Sequence, residues 1–169
     1  MVRSFEQMNG ANVALGVTLM VTGFVLSFLA KKNMVVNGDI TWENLLQDAL
    51  GFAISSAGAY KLFRGVEGLT KAQTFYASIG IGLVINALAL GLAEGVKASR
   101  DGVNGDVLIG EATSAIEAGL GAFLLGRALA DKVPALQALG AKTPAFAIGV
   151  AFVVSSLWLL MDSAITASQ

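Results

Sequence analysis

Between Val107 and Ala130, polar side chains interrupt an otherwise apolar run in a regular way. Thr113, Glu117 and Gly121 stand at i, i+4 and i+8 and share one side of a helix, with Gly110 and Ser114 beside them. A carboxylate among hydroxyls and glycines at mid-helix is the material of ion and proton pathways and of water-filled lumens, since hydrocarbon alone does not tolerate it. Asn86, near the centre of the apolar run Phe75–Ala93, is a second such group. The same atoms also serve packing. Glu117 can hydrogen-bond to Asn86, or to Ser55 or Ser56, a contact worth about 0.6 kcal/mol on average within a membrane. Both roles stay open for Glu117, and for Asn86 packing is the simpler one.

Other chemistry is scarce. The sequence has no Cys and no His, which removes disulfides, thiolate nucleophiles, imidazole bases and the usual zinc and haem ligands. Gly80-x-Gly82 and Gly119-x-Gly121 lack the third glycine of a dinucleotide loop and sit inside apolar runs. No nucleophile elbow, Walker pattern or EF-hand loop occurs. The reading is therefore of a protein that is not an enzyme, with no cofactor and no metal. Eleven basic against twelve acidic residues leave a net charge of -1 and no basic face for a nucleic acid.

The elements that must carry these groups follow from composition. Of 169 residues, 55% are hydrophobic and 14% charged, where soluble domains carry about 25% charged. Mean hydropathy is +0.70. Such a chain is built for lipid, and crossing a core of about 30 Å takes about 20 apolar residues in a helix. Residues 12–30, 75–93 and 144–161 meet that requirement, the first stopped by Lys31-Lys32 and the last opened by Pro144. Two segments are marginal. Residues 49–63 span only about 23 Å of helix, and residues 107–130 carry Glu111 and Glu117. The expected fold is an all-α, polytopic membrane helical bundle of five helices, forming a single membrane domain over residues 1–169.

Flanking signals refine this reading. Arg3 is the only basic residue ahead of the first span and no Ala-x-Ala site follows it, so that span is expected to stay as a helix. Five spans place seven Lys or Arg on the N-terminal side and four on the other, which puts the N-terminus inside. Thr41 can cap a helix starting at Trp42, with Glu43 in its first turn and Trp42, Leu45 and Leu46 on one interfacial face. Charges at span ends, such as Glu94 with Lys97 and Lys61 with Arg64, read as interfacial anchors. Val36-Asn37-Gly38-Asp39 recurs as Val103-Asn104-Gly105-Asp106, which raises a tandem repeat of two hairpins.

Small residues recur every four positions in three places. One ladder is Ala49, Ala53 and Ala57; the next is Ala87, Gly91 and Gly95; the third is Ala118, Ala122 and Gly126. In lipid, close approach over small residues supplies much of helix packing, so these ladders are expected helix contacts and faces for a homo-oligomer. In its size, its Gly and Ala ladders over residues 49–130 and its mixture of firm and marginal spans, the chain resembles the small glycine-zipper pore-forming effectors of bacterial type VI secretion. That resemblance implies a toxin that depolarises a target inner membrane, carried by a secretion-tube protein and countered by an immunity protein. The alternative is a resident inner-membrane subunit or transporter-like protein, in which the same ladders do no more than pack.

Overall fold

The computed structural model of the protein describes residues 10–132, all of them in helices or short connections. Four helices follow one another: α1 (Gly10–Val36), α2 (Trp42–Phe63), α3 (Lys71–Asp101) and α4 (Gly105–Leu129). The proposed fifth span at 144–161 lies outside the described residues. Three of the helices, α1, α3 and α4, are long and apolar enough to cross a membrane. The described part is thus all-α and rich in spanning-type helices. The segment 107–130 passes that test despite its carboxylates, and α2 does not.

The helix ends follow local chemistry. Thr41 caps α2 by accepting from Asn44 N–H, and Glu43 lies in the first turn, as its sequence indicates. Thr70 and Gln73 form a reciprocal capping box at the start of α3. Thr70→Ala is expected to cost about 1 kcal/mol, read as a lower midpoint of thermal unfolding by helical circular dichroism in mild detergent, with Thr70→Ser close to wild type. Gly102, at φ 77, ends α3 in a conformation that a side chain disfavours. Asn104 then caps α4 through Asp106 and Val107 N–H. In the first turn these duties fall differently: Gly38 carries the positive φ and Thr41 the cap. The two Asn-Gly-Asp copies therefore sit at non-equivalent points of their turns.

α1 pairs with α2 and α3 with α4, while α3 also lies against both α1 and α2. Glycines set the approach. The site a Cβ would occupy on Gly16 is 2.9 Å from Gly58 O, and that on Gly51 is 2.7 Å from Gly23 O. On the second hairpin, the Gly80 site is 2.7 Å from Gly121 O. Facing residue numbers rise on one helix as they fall on the other, so each hairpin is antiparallel. The contacts step by seven, Gly16 to Gly23 and Gly51 to Gly58, which is the period of helices that keep one seam in contact.

This register corrects the small-residue ladders in two ways. Ala49, Ala53 and Ala57 face outward, and Gly51, Ser55 and Gly58 make the α2 contact with α1. A step of four drifts around the helix, and the glycines permit closer approach than alanines do. The other two ladders lie inside the chain's own bundle. Ala87, Gly91 and Gly95 are buried on α3. Ala118, Ala122 and Gly126 are buried on α4. Because one chain already covers Gly91, Gly95, Ala122 and Gly126, these positions are not open faces for a second copy. The tight backbone crossing of α3 with α4 falls instead at Gly80 and Gly121, outside both ladders.

The α1–α2 turn ends in a polar cluster. Lys31 Nζ meets Asp48 Oδ2 at 2.7 Å, both largely buried. Gln47 donates to Leu26 O, Asn33 to Asn44, and Asn44 to Asp39 O. Lys31 is thus buried in this cluster, and α1 continues past Lys31-Lys32 to Val36. Asn44, Gln47 and Asp48 of the α2 entry are turned into the cluster, while Glu43 is exposed along with Trp42, Leu45 and Leu46.

Across the bundle this inversion is general. Among the described residues, the buried hydrophobic ones are ten alanines and Val107. Leu15, Val21, Leu29, Leu50, Ile109, Ile116 and Leu120 are among the many large apolar side chains left outside.

Candidate functional site

The polar groups singled out by their spacing fall on the α3–α4 pair. α3 is the central helix, buried on several sides, and holds Asn86 in its middle. Asn86 Nδ2 donates to Glu117 Oε1 across the seam at 2.6 Å. One turn away, Ser114 Oγ donates to Ala87 O at 2.7 Å, so a hydroxyl on α4 pins the α3 backbone. Asn86, Ser114 and Glu117 are thus brought together.

Thr113 is not. It is exposed and returns its hydroxyl to Ile109 O in its own helix at 2.8 Å. The stripe Thr113–Glu117–Gly121 consequently divides by depth of cover. Gly121 closes the seam against Gly80, Glu117 is half-buried on Asn86, and Thr113 stands outside. Ser55 and Ser56, the other potential partners of Glu117, pack instead against Gly23 and Gly82.

Glu94 occupies a position that an interfacial anchor would not. It is 5% exposed, and its carboxylate lies against Gly110 of α4, where any side chain would collide with it. Lys97, three residues on, reaches to 3.8 Å from Asp106 at the turn instead. The signal for Glu94 was its register: Gly80, Ala87 and Glu94 step by seven along the seam. Glu111 on α4 is also buried. Among the described residues, no three acidic side chains converge as a metal ion would require.

No family model matches the chain, and no curated protein or solved structure matches it either.

Proposed function

We propose that this protein is a polytopic membrane protein that forms, or contributes to, a cation-conducting pore as a homo-oligomer. The observation that carries the membrane part is the inverted core. A fold that buries Gly, Ala and Ser while presenting Leu, Val and Ile outward is unstable against water and well matched to hydrocarbon. Pairing extends the argument to α2. Its 22 residues make about 33 Å of helix and lie alongside α1, so the hairpin enters lipid as a unit. Residues 144–161 would add the fifth span, and the two glycine-crossed hairpins are compatible with an old duplication.

Support for the pore comes from α4. Thr113 and Glu117 are one turn apart, exposed and half-exposed, on a helix paired mainly with α3. Several copies arranged with this face inward would line a lumen with hydroxyls and carboxylates, which favours cations. Added to planar bilayers, the full chain is expected to give cation-favouring currents, and Glu117→Gln to lower the cation preference several-fold. Silent bilayers at high protein density would remove this reading.

A second reading is favoured by a specific contact. The Asn86–Glu117 and Ser114–Ala87 bonds close within one chain, as they would in a resident, non-conducting subunit. Depolarisation of the expressing cell, relieved by the product of a neighbouring small gene, would favour the toxin with an immunity protein. Harmless expression in every compartment would favour the resident subunit.

A further inference from the structure

Two oxygens buried along the α3–α4 seam have no donor: Glu94 Oε2 and Asn86 Oδ1. Their residues are 5% and 9% exposed, and both are on α3 facing α4. A buried acceptor left without a partner is the usual mark of an ordered water. Glu94 sits at the level of Gly110, seven residues from Glu117 and so about 10 Å along α4, with the Ser114 hydroxyl between. Beyond Glu94 lie Lys97 and Asp106, the latter largely exposed at the α3–α4 turn. Beyond Glu117 the backbones of Gly80 and Gly121 touch. The polar track thus opens to water at one end and stops at the other.

We propose that this seam is a hydrated proton half-channel, entered at the α3–α4 turn, that delivers protons to Glu117. The proposal rests on the reading that the chain spans a bilayer. A metal cation needs several oxygens around one point, whereas Glu94, Ser114 and the Asn86–Glu117 pair are strung singly along the seam, which is what a proton needs. Hydronium at the turn gives its proton to the Glu94 carboxylate and departs as water. Glu94 passes a proton through intervening waters to Glu117 and returns to carboxylate, while Glu117 becomes the acid and only O–H bonds are made and broken. The charges that act on Glu94 are Lys97 on its own helix and Asp106 on α4; Glu111 of α4 is buried next to Gly110 in sequence, and Lys31 and Asp48 of α1 and α2 neutralise each other.

The test uses the full chain in lipid vesicles, following carboxyl protonation by infrared difference spectroscopy after a pH jump, with Glu117→Gln identifying the Glu117 band. Glu94→Gln is expected to slow protonation of Glu117 by about a hundredfold, the scale of a lost proton-transfer group. Gly110→Ala, which displaces Glu94 without changing charge, should slow it in the same direction. An unchanged rate in both variants, with native helical content, overturns the proposal. The sequence contains no cysteine, so single Cys substitutions give an independent check if either variant fails to fold. Ser114→Cys is expected to be protected by silver ion added on the α3–α4 turn side, and Ser78→Cys, beyond the Gly80 closure, is not. Equal protection of the two, or none at Ser114→Cys, overturns it as well. Silent planar bilayers with Glu117 still protonated through Glu94 would sink the pore and leave the half-channel standing.

Discussion

Replacing Gly23 with leucine is expected to part α1 from α2. Any Cβ at Gly23 would fall on Ser55 and on the backbone of Gly51, and a backbone cannot rotate aside as a side-chain tip does. Overpacking a tight core typically costs about 1–3 kcal/mol, and a collision with backbone belongs at or above the top of that range. Gly51→Leu should behave alike, because its own Cβ would meet Ser27 and Gly23. Ala53→Leu provides the contrast. It adds the same bulk on α2, yet to an outward face, and is expected to change stability by no more than about 0.5 kcal/mol. Unfolding in mixed micelles, followed by circular dichroism, measures all three. Equal loss at Gly23 and Ala53 would mean that the alanine ladder, and not the glycine seam, holds the hairpin.

The second large effect is expected at Lys31. With Lys31→Met, the Asp48 carboxylate keeps its cover but loses its ion-pair partner, and its Oδ1 already lacks a donor. Breaking a buried ion pair from one side costs about 3–5 kcal/mol, mostly through the charge left behind. The double variant combining Lys31→Met with Asp48→Leu removes both charges and should recover most of the loss, since an apolar pair of similar volume replaces a buried ion pair at little cost. Lys31→Met should also hinder entry of α2 into lipid, read by the accessibility to a water-soluble thiol reagent of a cysteine placed at Leu50. Stability unchanged by Lys31→Met would show that Asp48 is solvated in the assembled protein.

Much of the helical framework was legible in the sequence because lipid imposes length and apolarity on every span, and both are written residue by residue. The Thr41 cap was legible for the same local reason. Pairing was harder. Ala49, Ala53 and Ala57 satisfy the small-residue spacing as well as Ala87, Gly91 and Gly95 or Ala118, Ala122 and Gly126 do. In a chain so rich in Gly and Ala, that spacing alone does not choose a face, nor does it tell a contact within one chain from a contact between copies. The choice was made by glycines seven apart, a periodicity set by how two helices wind about each other. Asn86 and Glu117 were readable as polar groups in apolar runs, and their bond to each other was one of several options until the register was known. Glu94 was misread because it lies one turn from Lys97 at the end of an apolar run. A linear sequence does not distinguish a side chain that reaches the headgroups from one tucked beneath a neighbouring helix.

The outward-facing leucines, valines and isoleucines set a condition on how this protein comes into being. During synthesis or transit, these side chains meet the aqueous phase before the small-residue seams have anything to hold, and the seams offer no hydrophobic reward for closing there. On the membrane reading proposed above, the nascent polypeptide would need an escort, either an insertion machinery that hands it directly to a bilayer or a carrier that sheathes it until one is reached. Which escort binds it would show whether the molecule is made for its own cell or for another.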